Sequence, residues 1–175
     1  MKTITKIFAV ASFLTMFAVT VEAQVTASAS TEATIIAPIS ISKQVDLNFG
    51  NLAVGATGGV VTLAPVLAAT RTQVGGVTFP VVIGTVTAAE FDVNGLADQT
   101  YSIILPTSFL ITNTTGTGGE TMVVDNFTST PTPTGTLDGS GYEVLYVGAD
   151  VTVAANQQYG VYQSTADFDV TVNYN

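Results

Sequence analysis

GVYQSTADFDVTVNYN, Gly160 to Asn175, is the stretch that decides the fold. Phe168, Val170, Val172 and Tyr174 fall on one side of an extended chain, and Asp167, Asp169, Thr171 and Asn173 on the other. Alternation with period two marks a half-buried strand and excludes an amphipathic helix. The same signature recurs through the chain. Tyr142–Val153 places Leu145, Val147, Val151 and Val153 on one face, and Ala88–Val93 places Ala89, Phe91 and Val93 opposite Glu90 and Asp92. Val, Thr and Gly dominate, and β-branched Thr packs well on a pleated surface.

The longest alternation lies near the start. Val25, Ala27, Ala29, Ala33, Ile35, Ala37, Ile39, Ile41, Val45, Leu47 and Phe49 all fall on odd positions. Extended, that run would span about 80 Å, against about 5–10 residues for a strand in a sandwich. It must therefore break, and Pro38, which cannot donate a ladder hydrogen bond, is one break. The expectation is an arm or first strand over Gln24–Ala33, a strand over Thr34–Ser42 and another over Gln44–Gly50. Onward, Asn51–Gly59 reads as a loop, Val60–Leu63 as a strand, Val66–Thr70 as a brief helix and Val77–Thr87 as a strand region. Ala88–Val93 and Thr100–Leu105 read as an antiparallel hairpin around Asn94-Gly95. Phe109–Thr112 and Thr121–Thr128 flank a Gly-rich loop, Asn113–Glu120, and Ser129–Gly141 reads as a flexible loop. Nine or ten strands at this spacing predict an all-β, antiparallel sandwich or barrel.

Residues 1–23 read as a secretory signal. Lys2 and Lys6 precede an apolar run, Ile7–Val19, with small residues before a cut ahead of Gln24. That run falls short of the roughly 20 residues of a membrane span. The expectation is a secreted or cell-surface protein, exported through the periplasm, with no membrane segment after cleavage, whose domain covers residues 34–175.

The 175 residues include no Cys and no His, and carry 13 Asp+Glu against 4 Lys+Arg, a net charge of −9. Only Lys43 and Arg71 lie beyond the signal. Nucleic acid needs clustered bases, so it is excluded as a partner. Without His or Cys, no Ser-His-Asp triad, thiol nucleophile or His-ligated zinc can be built. Two carboxylate pairs remain, Glu90/Asp92 and Asp167/Asp169, each about 7 Å apart along a strand. Such pairs serve glycoside hydrolysis, but they equally describe a solvated outer face, and no Trp supplies a sugar platform. Asp92, Asn94 and Asp98 offer oxygen ligands to a hard cation, though a hairpin turn explains them equally. The expectation is a protein with no enzymatic activity and no cofactor.

Three segments resemble a family: IIAPISISKQVDLNFGNLAVG (Ile35–Gly55), AEFDVNGLADQTYSIILP (Ala89–Pro106) and LYVGADVTVAANQQYGVYQSTADFDVTVNYN (Leu145–Asn175). They resemble secreted bacterial proteins grouped as a domain of unknown function. That group is similar to the spore coat protein U family and, more distantly, to chaperone–usher pilins and fimbrial adhesins. The resemblance implies an immunoglobulin-like sandwich and a pilin- or coat-like structural role, in which an arm adds a strand to a neighbouring subunit. It further implies that Val25, Ala27 and Ala29 are donated. Phe168, Val170, Val172 and the penultimate Tyr174 would be read by a related subunit or a periplasmic assembly chaperone. This chain lacks the Cys that such relatives often carry near their first strands. A monomeric adhesion domain displaying loops from a self-complete sandwich is the alternative.

Overall fold

The computed structural model describes residues 24–115 and 118–175. The expected signal, 1–23, lies outside the described residues, as do Gly116 and Thr117 of the Asn113–Glu120 loop. Residues 24–35 form one unit and Ile36–Asn175 the other. In the first, the described residues are exposed and contain no strand.

The second unit is all-β. Its strands are β1 Ser40–Val45, β2 Ala53–Leu63, β3 Arg71–Thr78, β4 Ala89–Asn94, β5 Thr100–Ile104, β6 Ser108–Asn113, β7 Thr121–Thr130, β8 Thr134–Thr136, β9 Tyr142–Val153, β10 Tyr162–Gln163 and β11 Thr171–Tyr174. Among the described residues no helix is long and apolar enough to cross a membrane.

The molecule is built on β9. Its odd positions Leu145, Val147, Ala149, Val151 and Val153 are all buried, as the alternation requires. One edge pairs with β7 and the other with two strands in succession: β4 lies against Tyr142–Val147, β2 against Asp150–Val153. The large sheet runs β1-β4-β9-β7-β6-β10, with β2 and β3 attached beside β4; a smaller sheet runs β11-β5-β8. All pairings are antiparallel, and the two sheets make a sandwich-like half-barrel.

Gly148 marks the change of partner on β9. A Cβ there would lie 2.1 Å from the Leu63 carbonyl oxygen, so no side chain fits where β2 departs. Opposite it, β7 carries a bulge between Asp125 and Thr128, with Asn126 at φ 49°. The extra residue flips the parity of β7: Met122 and Val124 face inward before it, Phe127 and Ser129 after it. Phe127 thereby reaches both apolar clusters of the interior. One comprises Ala89, Phe91, Val93, Tyr101, Leu137, Leu145, Val147 and Val172, closed between the two sheets. The other gathers Val61, Leu63, Val77, Val124, Val151 and Val153 under the part of the large sheet that the smaller one leaves uncovered.

Several sequence expectations shift. The Thr34–Ser42 and Gln44–Gly50 strands are replaced by β1, which starts after Pro38 and ends at an irregularity between Lys43 and Val45; beyond it only Asn48 bridges, to Thr87. Asn51–Gly59 is mostly strand, because Gly59 pairs with Gly75 on one side and Val153 on the other. Val66–Thr70 is not helical; Ala64 N donates to Thr70 O at 3.0 Å and closes a turn. β3 ends before Phe79-Pro80, so Val77–Thr87 is largely irregular. Ala88–Val93 and Thr100–Leu105 do not form a hairpin: their strands lie in different sheets. Ser129–Gly141 contains β8 and the fully buried Leu137.

Candidate functional site

The uncovered part of the large sheet forms a cleft of about 1120 Å³. The cleft is open to solvent and is the candidate site. Its floor is apolar: Phe109 and Ile111 from β6, Met122 and Val124 from β7, Val151 and Val153 from β9. The β-period puts them there, since each is the inward member of an alternating strand. One wall is the irregular chain from Asp46 to Asn51 with the start of β2, and the other runs from Gln157 to Phe168.

Arg71 holds the first wall. Its Nη1 donates to the Phe49 carbonyl and, at 3.1 Å, to the Asn51 carbonyl, while the guanidinium sits 4.3 Å from the Phe79 ring centroid. Desolvation pulls its pKa below the ordinary arginine value. Asn48 Oδ1 adds a hydrogen bond to Gly50 N at 2.8 Å. On the second wall, buried Asn113 Oδ1 accepts from Thr115 N at 2.9 Å, and its Nδ2 donates to Tyr159 O at 3.3 Å. Lys43 stands at the mouth, its Nζ 2.6 Å from Asp46 and 3.6 Å from Asp167, so it reaches a carboxylate on each wall. The hydrogen bond to Asp46 is the first cause of its raised pKa.

The expected assembly residues separate into two sets. Val25, Ala27 and Ala29 lie in the exposed, strand-free first unit, with Val25 91% exposed. The other four alternate as expected: Phe168, Val170 and Tyr174 are half-buried, and Val172 is buried. Only Val172 and Tyr174 lie in regular strand, β11, on β5. Phe168 precedes it and packs on Phe127, Phe109 and Phe91, with ring centroids at 5.2, 6.3 and 6.4 Å. Tyr174 is tied within its own domain: its hydroxyl accepts from Leu96 N at 2.6 Å and donates to Ala37 O at 3.1 Å. Gly95 makes room for it, since a Cβ there would come within 2.2 Å of that hydroxyl.

The carboxylate pairs do not converge on the cleft together. Glu90 and Asp92 are the outward positions of β4. Asp92 accepts from the Tyr142 hydroxyl at 2.6 Å, and that bond pushes the phenol up to about 12. Asp167 faces Lys43, while Asp169 is exposed. The Asn94–Asp98 stretch is a turn, with Gly95 N donating to Gly141 O at 2.9 Å and Asp98 N to Asp138 O at 3.2 Å. Among the described residues, no three His, Cys, Asp or Glu side chains group as a metal site. Sequence reasoning missed the cleft because its walls come from segments read as a strand running into a loop, Gln44–Gly50 and Asn51–Gly59, and as the closing strand of the chain. The one available signal was Leu52, an apolar residue that continues the Leu47 and Phe49 face into the segment read as a loop.

Searches of curated proteins and of solved structures found no match. A family model does match, over residues 39–174, which is the greater part of the chain. The chain belongs to that family, described as Domain of unknown function (DUF4402).

Proposed function

We propose that this protein is a non-enzymatic structural subunit, exported and assembled outside the cell by β-strand addition, in the manner of coat and pilin subunits. The observation that carries the reading is that a cleft of about 1120 Å³ with an apolar floor and an exposed, strand-free segment occur in the same chain. Backbone groups of an extended segment gain hydrogen-bond partners when it lies beside another strand, and its alternate side chains fill pockets. Residues 24–33 supply Val25, Ala27 and Ala29 for that purpose, and a neighbouring copy supplies the cleft. Glu32 is the segment's one charge. Small side chains make each contact modest, so assembly relies on repetition along a fibre or layer.

Electron microscopy and light scattering of the secreted protein, with and without residues 24–33, test this. Loss of fibres or layers on deletion is the expected result. Assemblies that persist without those residues, or a protein that stays monomeric when concentrated, would sink it. A monomeric extracellular binding domain is the second reading, favoured by the cleft's concave shape with an apolar floor and polar walls.

A further inference from the structure

Phe168 stands on a partition. Together with Phe109 and Asp167 it lines both the large cleft and a second hollow of about 310 Å³ beside Leu105 and Pro106. Its ring is thus shared by the walls of both spaces. The segment carrying it, residues 164–170, has no regular structure and links β10 to β11. Its neighbours Asp167 and Asp169 are exposed, so the ring is its main inward contact there, followed by Val170. Asp167 adds the ion pair to Lys43 at 3.6 Å, with the Asp167 side chain 82% exposed. A surface pair of that exposure holds weakly. Few buried contacts and little backbone pairing are what distinguish a segment that opens locally from one that opens only with the whole fold.

We propose that Phe168 is a removable plug: segment 164–170 fills the outer end of the cleft with its own phenylalanine until an apolar side chain from residues 24–35 of a second copy takes that place. The proposal rests on the strand-acceptor reading and adds a step to it. Three surrounding phenylalanines offer an apolar seat that an aliphatic side chain also satisfies, and Ile35, 97% exposed, is the bulkiest of the incoming segment. A closed plug lowers the apparent affinity for the segment by the fraction of molecules that are open. Free subunits are thereby kept from pairing indiscriminately, and the closed form shields apolar surface.

The chain has no Trp, so Phe168→Trp in the full chain is a unique fluorophore. A synthetic peptide of residues 24–35 contains no aromatic residue and is silent at the same wavelengths. Titrating it is expected to move the Trp emission to the red as the ring leaves its seat. Where the Trp variant fails to fold, 4-fluorophenylalanine at position 168, followed by fluorine NMR, gives the same readout at native ring size. A second experiment locks the plug. Lys43 is the one lysine beyond the signal, and Asp46→Asn leaves Asp167 as the carboxylate facing it. Carbodiimide coupling then forms an amide between Lys43 Nζ and the Asp167 carboxyl carbon, the departing oxygen being carried off in the urea. Locked protein is expected to bind the peptide at least about tenfold more weakly, equivalent to about 1.4 kcal/mol. Peptide binding with unchanged emission and no effect of the lock overturns the plug and leaves the acceptor reading standing. No peptide binding to any form overturns both.

Discussion

At the scale of single residues, the tie between the sheets is Tyr101. It is fully buried on β5, and its hydroxyl donates to Glu143 Oε2 at 2.8 Å. The same oxygen accepts from Thr136 N at 2.8 Å, so one carboxylate on β9 of the large sheet fastens two strands of the smaller one. Burial, and then the Glu143 hydrogen bond, raise the phenol above its ordinary value. A raised folded-state value favours the protonated form in the native protein. Its contribution is therefore complete below the unfolded tyrosine value of about 10 and is lost as pH climbs above it. Urea unfolding between pH 9 and 12 is expected to show falling stability, and Tyr101→Phe to flatten most of that fall. Tyr142 and Tyr146, also raised, account for the remaining slope. At neutral pH, Glu143→Ala leaves the buried hydroxyl without its acceptor and is expected to cost about 1–3 kcal/mol, more than Tyr101→Phe. Equal losses from the two variants would contradict this account.

At the scale of elements, Gly148 is where β9 exchanges one neighbour for another. Gly148→Ala sets a methyl against the Leu63 carbonyl oxygen, a backbone atom of the residue that pairs with Arg71 of β3. The expected loss is about 1–3 kcal/mol, the usual cost of overpacking, read as a lowered denaturant midpoint with the slope unchanged. A variant as stable as the parent would mean that β2 can shift freely. The limits of sequence reading are also clearest at this scale. Tyr142–Val153 was legible to its end residues, because a strand with one buried face prints its period directly. Strand pairing was not legible. Ala88–Val93 and Thr100–Leu105 have the pattern and turn residues of a hairpin, yet alternation says which face is buried and nothing about which sheet receives the strand. Asn51–Gly59 misled because glycines that mark turns also serve where strands approach closely. In the final stretch the parity of Phe168, Val170, Val172 and Tyr174 was legible, but not the seat of Phe168. That seat is made by Phe91, Phe109 and Phe127, residues far apart in sequence.

At the scale of the whole molecule, the two clusters differ in cover. The Tyr101–Leu145 cluster is closed by both sheets, whereas the Val61–Val151 cluster borders the cleft. Amide exchange should follow that difference. Protection is expected to be greatest along Tyr142–Val147 and Tyr101–Ile103, and least in β3 and β10, which are edge strands. Uniform protection across all strands would indicate that the cleft side is as firmly closed as the other. Addition of the 24–35 peptide should raise protection on the cleft side selectively. The acidic excess of the chain, 13 against 4, acts at this scale too, since mutual repulsion keeps single molecules apart before any specific contact forms.

The placement of β9 has a kinetic consequence. Position 153 is the register partner of position 59, and position 147 of position 89, so the strand that joins both halves of the large sheet follows its partners β2, β4 and β7 in the chain. Loops of that length must close before their contacts give any return. Folding is accordingly expected on the millisecond-to-second scale of β-rich topologies, not in microseconds. Until β9 is threaded between its neighbours, β2 and β4 have no common partner and β7 has one open side. The central strand of the large sheet is thus made after the three strands it joins, and their pairing waits for it.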